Sequence, residues 1–353
     1  MKDTFLIYGS TGYTGNLIVQ EAIRRGLKPV LAGRNLEKLG DQAAGLGLEW
    51  RAFPLSNTAA LERAAADTGL VLLVAGPYLH TAAPVVAACL KTGAHYLDIT
   101  GEQGVYEYLA QHDAQAKAAG VMLGTGMGFD VVPSDCLAYY LKKQLPEADD
   151  LKLALAYRGR TAISHGTMKS AVESMPQGLR VRRKGKLAHV QPGEKSLVVD
   201  FGWGPRTCDL FTWGDVVTAY YSTGIPNIEV YMRSGRTTRR MLQLASTSQR
   251  LFGQGLSHSL LMRAVNFLPS GSSPAQRARA YAVVWAQVSA SGHQHLSARL
   301  TTPEAYEFTA RSAIQAVERV LKGDFKPGFQ TPAMAFGEDF VLQIEGVQGE
   351  FIA

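Results

Sequence analysis

Short apolar runs alternate with amphipathic segments through the first 125 residues of the chain. Most runs end at a glycine or a polar residue, as buried strands do, and the segments between them repeat apolar residues at helical spacing. Strands are therefore predicted near residues 4–8, 29–32, 49–53, 70–75, 96–99 and 121–125. Helices are predicted near residues 13–25, 36–44, 58–66, 82–92 and 103–119, with Gly26, Gly93 and Gly120 just past helix ends, where a left-handed residue is favoured. This alternation predicts a doubly wound parallel sheet, whose ligands bind at the carboxyl ends of the strands.

The pattern changes after about residue 133. A helix is predicted over residues 133–145, and the stretches that follow alternate polar and apolar residues, which is typical of antiparallel strands with one exposed face. These stretches are residues 151–157, a hairpin over 179–200 that turns at Lys184-Gly185, 226–232 and 281–289, and a helix follows over 303–322. We therefore predict an α/β protein with an N-terminal Rossmann domain (residues 1–132), an α+β substrate or dimerisation domain with a mainly antiparallel sheet (133–330), and a C-terminal segment (331–353) that can return to the Rossmann domain.

The composition is that of a globular protein, since 46% of the 353 residues are apolar and 19% are charged. The net charge of +6 is unevenly distributed, because residues 1–130 contain 10 Lys and Arg against 12 Asp and Glu, whereas residues 131–353 contain 26 against 18. The excess includes basic clusters at 180–186 and 233–240. We expect the hairpin charges to lie on its solvent face. Because no recognised nucleic-acid motif accompanies them, an anionic substrate or carrier is favoured over nucleic acid.

Three scattered cysteines, Cys89, Cys136 and Cys208, show neither metal nor disulfide spacing, and they predict a protein of the reducing cytoplasm without a metal site. The chain enters its first strand within a few residues of Met1, so we expect no signal peptide. The apolar stretch 70–90 is interrupted by Gly76-Pro77 and contains His80. It therefore predicts a strand, a loop and a helix, and no membrane span.

The connection between the first strand and the first helix contains glycines at three-residue intervals, Gly9, Gly12 and Gly15. Glycine allows a sharp turn and a close approach of the backbone to a ligand. The helix start that follows offers unpaired N–H groups and a partial positive charge to an anion. Although the GxxGxxG spacing differs from the commoner GxGxxG, its position between a strand and a helix favours binding of a dinucleotide pyrophosphate.

The end of the second strand predicts which dinucleotide binds. An acidic residue there accepts a hydrogen bond from the ribose 2′-OH of NAD, but this chain has Arg34 after Gly33, with Lys38 one helical turn later. A planar guanidinium suits a phosphate monoester, so NADP(H) is predicted over NAD(H). The alternative is that Arg34 is a solvated residue at a helix start.

Further motifs follow the later strands: Gly76-Pro77-Tyr78, Asp98 to Glu102, Gly128 to Asp135, and Ser164 to Thr167. Together with the glycine turn and Ala32-Gly33-Arg34, they resemble the saccharopine dehydrogenase-like family, which includes saccharopine reductases and trans-acting enoyl reductases. The resemblance is strongest over residues 4–136 and recurs near 214–229 and 331–333. It implies an NADP(H)-linked oxidoreductase and leaves the substrate open. His165 departs from the family's Gly-Gly-Thr loop, so the resemblance does not extend to the substrate contacts of this loop.

Candidate site residues lie in these loops. The predicted cofactor-binding residues are Gly9, Ser10, Thr11, Gly12, Tyr13, Thr14, Gly15, Gly33, Arg34, Lys38, Ala75, Gly76, Pro77, Tyr78, Thr100 and Gly101. The candidate catalytic residues are Tyr78, which can line the nicotinamide pocket or donate a proton, His165, which can donate a proton, and Asp130, which can act on substrate or favour a helix dipole. Asp98 is expected to order its loop through backbone N–H groups, and Glu102 to cap the following helix.

The function predicted from these features is hydride transfer from NADP(H) to a C=C (enoyl-type) or C=N bond of a small or acyl substrate, by a cytoplasmic homodimer. Alternatives are a saccharopine-type imine reductase acting on an amino-acid adduct, and a non-catalytic NADP-binding sensor or scaffold. Tyr139 and Lys143 match the Tyr-x-x-x-Lys of short-chain dehydrogenases, but a tyrosine at a domain interface explains the same residues.

Overall fold

The computed structural model describes residues 4–174, 178–191, 193–233, 271–290 and 294–352. The chain divides into two compact units. The first comprises Met1–Val132 and Tyr306–Phe340, and the second comprises Pro133–Ala305 and Val341–Ala353. Of the predicted basic cluster at 233–240, all but Arg233 lies outside the described residues.

Strands and helices alternate in the first part of the chain, and strands dominate the second. The strands are β1 (Phe5–Tyr8), β2 (Val30–Gly33), β3 (Trp50–Ala52), β4 (Leu70–Leu73), β5 (His95–Asp98), β6 (Met122–Gly124), β7 (Asp150–Arg158), β8 (Leu179–Arg183), β9 (Lys186–Val190), β10 (Ser196–Asp200), β11 (Pro205–Leu210), β12 (Asn227–Arg233), β13 (Tyr281–Ser289), β14 (His295–Pro303), β15 (Gly328–Gln330) and β16 (Gln348–Ile352). The helices are α1 (Tyr13–Arg24), α2 (Leu36–Leu46), α3 (Thr58–Asp67), α4 (Tyr78–Thr92), α5 (Gln103–Gln111), α6 (Asp113–Ala118), α7 (Val132–Gln144), α8 (His165–Ser174), α9 (Asp215–Thr223), α10 (Pro274–Arg279), α11 (Ala305–Leu321) and α12 (Pro332–Phe336), and a 3-10 helix spans Glu338–Gln343.

The first unit is built on a parallel sheet with the strand order β15-β6-β5-β4-β1-β2-β3. Strands β1 to β6 confirm the six predicted strands to within a few residues. The order reverses between β1 and β4, which is the switch point at which doubly wound sheets bind ligands. Gly26, Gly93 and Gly120 have φ angles of 77°, 78° and 68°, which confirms that each helix before them ends in a left-handed residue.

Two helices differ from the predicted bounds. The segment predicted as one helix over 103–119 forms α5 and α6, which are separated at His112. Helix α4 begins at Tyr78 instead of residue 82. Its earlier start has a cause outside the local sequence, because the distant carboxylate of Glu102 accepts its first N–H groups.

Residues 306–330 belong to the first unit, although the sequence pattern assigned them to the second domain. Helix α11 buries one face that includes Phe308, Ile314 and Val317. Strand β15 then joins the parallel sheet beside β6, where the Gly328 N–H donates to the carbonyl oxygen of Val121 at 2.9 Å. The amphipathic pattern of α11 predicts a buried face, but it carries no information on which sheet covers that face.

The second unit contains a nine-stranded sheet with the order β10-β11-β12-β7-β13-β14-β16, to which β8 and β9 add through β12. The sheet is mainly antiparallel, as predicted, and the pair β7 and β12 is parallel. Its core includes Val181, Phe201, Tyr231 and Trp285.

The predicted hairpin forms between β8 and β9 and turns at Lys184 and Gly185, whose φ angles are 50° and 77°. Two consecutive positive φ angles are those of the tight turn that matches strand twist. The expectation that the hairpin charges lie on the solvent face is wrong for Arg182, whose side chain is buried. Its Nε donates to the carbonyl oxygen of Val216 at 2.7 Å, and its guanidinium lies 4.1 Å from the ring centroid of Tyr220, so protein groups replace its solvation.

Two further features concern the cysteines and the character of the helices. Cys89, Cys136 and Cys208 are buried free thiols. Among the described helices, none combines the length and apolar character needed to cross a bilayer.

Candidate functional site

The glycine turn between β1 and α1 is too tight for side chains at two of its glycines. Gly9 has a φ of 101°, and a Cβ there would lie 2.8 Å from the backbone carbon and oxygen of Val74. A Cβ on Gly15 would lie 2.2 Å from the carbonyl oxygen of Gly9. The carbonyl oxygen of Gly9 also accepts the Gly12 N–H at 3.1 Å. Glycine is therefore required by the packing of this turn, independently of any ligand.

The carboxyl edge of the parallel sheet is flanked by the N-termini of α1, α2 and α4. Asn35 caps α2 by accepting the backbone N–H of Lys38 at 2.9 Å. Within the described residues, no side chain caps α1, whose first turn also contains no acidic residue. The positive dipole end of α1 is therefore suited to an anion.

The two predicted phosphate-binding cations lie beside the carboxyl end of β2. Arg34 directly follows β2, and Lys38 lies in the first turn of α2. Both side chains are exposed. An exposed guanidinium at the end of β2 can form paired hydrogen bonds with a phosphate monoester.

Ser10, a predicted cofactor contact, is fully buried, and its hydroxyl donates to Oε1 of Gln42 at 2.9 Å. Gln42 Nε2 in turn donates to the carbonyl oxygen of Ser10 at 3.0 Å. Gln42 is not among the predicted site residues, since a glutamine on an amphipathic helix belongs to no motif.

The loop Gly76-Pro77-Tyr78 contains a cis Gly76–Pro77 bond and is fastened by Glu102. The buried Glu102 carboxylate accepts the Tyr78 N–H at 2.9 Å through Oε1 and the Leu79 N–H at 2.8 Å through Oε2. Glu102 precedes α5, but its side chain does not cap that helix. The prediction that Glu102 caps the following helix is therefore wrong. It caps α4, which explains why α4 begins at Tyr78.

Asp98 is fully buried and connects the loops that follow β5 and β6. Its carboxylate accepts the backbone N–H groups of Thr100 and Gly126 at 3.0 and 2.8 Å, as predicted for its own loop. It also accepts the hydroxyls of Tyr96 and Thr125. Burial raises the pKa of Asp98 to about 6, although these hydrogen bonds favour the charged form.

Tyr78 and Asp130 follow β4 and β6 at this edge, and burial raises the pKa of each. Burial, and then the negative charges of Asp98, Glu102 and Asp130, raise the pKa of Tyr78 well above its ordinary value. Burial raises the pKa of Asp130 to about 6. A Cβ on Gly101 would lie 2.7 Å from Asp130 Oδ2, so glycine at 101 makes room for this carboxylate. A carboxyl group with a pKa of about 6 can exchange a proton near neutral pH, whereas the Tyr78 hydroxyl keeps its proton there.

Helix α11 supports the loop that contains Asp130. The Phe129 N–H donates to Thr309 Oγ1 at 3.0 Å, and Ser312 Oγ donates to the carbonyl oxygen of Met127 at 2.9 Å. No local pattern predicts these contacts, because the partners are 180 and 185 residues apart.

His165, the third candidate catalytic residue, is the first residue of α8 in the second unit. Ser164 precedes it, and its hydroxyl oxygen accepts the Thr167 N–H at 3.1 Å. Tyr78 and Asp130 belong to the first unit, so only these two candidates are brought together within one unit. Tyr139 and Lys143 lie on α7 in the second unit.

The switch point of the parallel sheet, the glycine turn and the uncapped α1 define the first unit as a dinucleotide-binding domain of the Rossmann class. Residues 5–123 match the family model described as the saccharopine dehydrogenase NADP binding domain. This match confirms the resemblance carried by the motifs in this part of the chain and the prediction of NADP(H).

Relatives and a solved structure extend the comparison. The chain is 33% identical over 195 residues to a trans-acting enoyl reductase of Mycobacterium leprae, covering 50% of this chain and 47% of that protein. It is 30% identical over 194 residues to a probable mitochondrial saccharopine dehydrogenase-like oxidoreductase of Arabidopsis thaliana, covering 47% of this chain and 42% of that protein. The chain thus spans less than half the length of either relative. Saccharopine dehydrogenase (L-Glu forming) from Saccharomyces cerevisiae is 12% identical, with a TM-score of 0.64 over 99% of this chain and 100% of that one, which shows a shared fold.

Proposed function

We propose that this protein is an NADP(H)-dependent oxidoreductase that transfers hydride to a C=C or C=N bond of a small or acyl substrate. The observation that carries the proposal is the match of residues 5–123 to an NADP-binding domain of the saccharopine dehydrogenase family. NADPH supplies the hydride when bound, and the protein must then orient the acceptor and supply a proton. Asp130 is suited to the proton transfer, because its pKa of about 6 lies close to neutral pH. The hydroxyl of Tyr78 stays protonated, and its raised pKa makes it a weaker acid than an ordinary tyrosine.

The proposed cofactor position follows the features of the sheet edge. The pyrophosphate binds at the glycine turn and the open N-terminus of α1. Arg34 and Lys38 bind the 2′-phosphate, and the nicotinamide lies beside Tyr78 and its loop. The remaining proposed contacts are Thr11, Tyr13, Thr14, Gly33, Ala75, Thr100 and Gly101. We also propose that the protein acts as a homodimer in the cytoplasm.

The names of the relatives favour reduction of a C=C bond, since the first matches are called trans-acting enoyl reductases. A C=N acceptor formed from an amino acid and a carbonyl compound is the second candidate. It is supported by the relative named as a saccharopine dehydrogenase-like oxidoreductase.

A substrate panel tests the proposal. NADPH oxidation is followed with α,β-unsaturated acyl thioesters and, separately, with 2-keto acids plus amines. We expect turnover with the thioesters. Turnover only with the keto acid and amine pairs selects the imine reductase, and NADPH binding without NADPH oxidation by any acceptor selects a sensor or scaffold.

Tyr78→Phe is expected to retain NADPH binding and to lose turnover if its hydroxyl supplies the proton.

Arg34→Ala tests the proposed recognition of the 2′-phosphate. Removing hydrogen bonds between a guanidinium and a phosphate is expected to weaken NADPH binding by about 10- to 100-fold, with little change for NADH. Fluorescence titration of both nucleotides measures the two dissociation constants. Arg63→Ala is the control, because Arg63 is an exposed arginine on α3. An equal loss for NADPH and NADH would contradict the role assigned to Arg34.

A further inference from the structure

We propose that Gln42 is a positioning residue that holds the phosphate-binding turn in its binding conformation and thereby raises the affinity for both NADP(H) and NAD(H). The proposal rests on the proposed placement of the pyrophosphate at this turn. Gln42 lies on α2, between β2 and β3, and so outside the glycine motif.

Gln42 contacts three atoms of the turn and the first part of α1. Its Oε1 accepts the Ser10 hydroxyl at 2.9 Å, and its Nε2 donates to the Ser10 carbonyl oxygen at 3.0 Å. Nε2 also lies 3.3 Å from Oδ1 of Asn16. Because Ser10 is fully buried, its two oxygen atoms have no access to solvent, and Gln42 satisfies both.

The pairing requires an amide side chain. An amide carries an acceptor and a donor side by side, which matches a hydroxyl donor and a carbonyl acceptor on one residue. Glutamate at position 42 would keep the acceptor but place a carboxylate against the carbonyl oxygen of Ser10. Methionine has a similar length and forms neither bond. The two substitutions therefore remove the pairing in different ways.

The turn needs external support because its glycines contribute no side chains. Glycine loses more conformational freedom than other residues when a segment becomes ordered. A turn that is already ordered before the ligand arrives does not lose that freedom on binding, and its affinity is correspondingly higher. Gln42 keeps the turn ordered, because its two hydrogen bonds connect Ser10 to α2. NADP(H) and NAD(H) share the pyrophosphate, so the effect on the two ligands should be equal.

The test compares Gln42→Glu and Gln42→Met with the wild-type full chain. Dissociation constants for NADPH and NADH are measured by nucleotide fluorescence, and the thermal unfolding of the ligand-free protein is measured in parallel. Gln115→Glu and Gln115→Met are matched controls, because Gln115 is exposed on α6. We expect each Gln42 variant to weaken both nucleotides by about 10-fold, from the loss of two hydrogen bonds, with an unchanged NADPH-to-NADH ratio.

A double-mutant cycle distinguishes positioning from general loss of structure. If Gln42 acts through Ser10, the variant with both Ser10→Ala and Gln42→Met should weaken NADPH less than the product of the two single effects. Unchanged affinity in the Gln42 variants, a change in the NADPH-to-NADH ratio, or fully multiplicative effects would each overturn the inference. NADPH binding by the wild type without turnover would overturn only the proposed reaction, because the affinity test does not depend on turnover.

Discussion

At the residue scale, the buried carboxylates at the edge of the first sheet act as hydrogen-bond acceptors that fix loops. Asp98 joins the loops after β5 and β6, and Glu102 holds the start of α4. Backbone N–H groups are good partners for a buried carboxylate, because a charge-assisted hydrogen bond offsets part of the cost of burial. These two residues therefore order the loops around Tyr78 and Asp130, which are the proposed proton donors.

Glu102→Gln tests this role at a single side chain. An amide offers one acceptor oxygen where the carboxylate offers two, and its NH2 group would face a backbone N–H. We expect the free energy of unfolding to fall by about 1–3 kcal/mol, measured by urea denaturation. Glu107→Gln on α5 makes the same change of charge as a control. If both variants were as stable as the wild type, Glu102 would not fasten α4.

At the element scale, the strand–turn–helix unit β1–α1 depends on close approach of its own backbone. The carbonyl oxygen of Gly9 occupies the position that a side chain at residue 15 would need, at 2.2 Å from the Cβ. The same oxygen accepts the Gly12 N–H, so moving it would also disrupt the turn. The β1–α1 unit therefore needs these glycines in order to fold, in addition to any need for them in binding a ligand.

Gly15→Ala should consequently disrupt the turn, lower the unfolding temperature and weaken NADPH binding by more than 10-fold. Gly45→Ala is the matched control within a helix, because Gly45 is exposed on α2 and its Cβ would meet no atom within 4 Å. Replacing that glycine should raise the free energy of unfolding by about 0.5–1 kcal/mol. Calorimetry and nucleotide titration measure the two effects. Equal changes in unfolding temperature and in NADPH affinity for Gly15→Ala and Gly45→Ala would contradict the steric explanation.

At the scale of the whole molecule, buried titratable groups make folding depend on pH in opposing directions. Folding raises the pKa of Asp98 to about 6, so the folded protein binds the carboxyl proton more tightly than the unfolded chain does. The contribution of Asp98 to stability therefore falls as the pH rises from about 4 to about 6. Asp130 acts in the same direction. Burial lowers the pKa of His95 to about 4, and its Nδ1 accepts the Met122 N–H, so its contribution increases as the pH rises from about 4 to about 6.5.

Asp98→Asn isolates one of these contributions. The amide oxygen can accept the N–H groups of Thr100 and Gly126, and the amide NH2 can donate to the hydroxyls of Tyr96 and Thr125. We expect the variant to gain stability relative to the wild type by up to about 3 kcal/mol as the pH rises from about 4 to about 7, which is the linkage expected from the raised pKa. Urea denaturation across this range measures the difference. Asp41→Asn, at an exposed site on α2, should show no such trend. A pH-independent difference for Asp98→Asn would contradict the raised pKa.

The sequence by itself determined the class of the first domain and its ligand. Strand length, helical spacing and glycine position are local properties, and they predicted β1 to β6, the turn and the left-handed helix ends. Arg34 predicted NADP(H), because the same local pattern places this arginine directly after β2. The motifs around Tyr78 and Asp98 resemble one family, and residues 5–123 match its NADP-binding domain.

Only the tertiary structure decided which distant groups meet. Helix α11 and β15 join the first unit because of contacts with residues about 180 positions or more earlier in the chain, and periodicity does not encode such a partner. Arg182 is buried under Tyr220, although its sequence context suggested a solvent-facing charge. The attachment of Ser10 to Gln42 and of α4 to Glu102 was likewise invisible to the sequence pattern. Each attachment consists of two hydrogen bonds made by one side chain to a distant part of the chain, and a side chain acquires such partners only when the chain is folded.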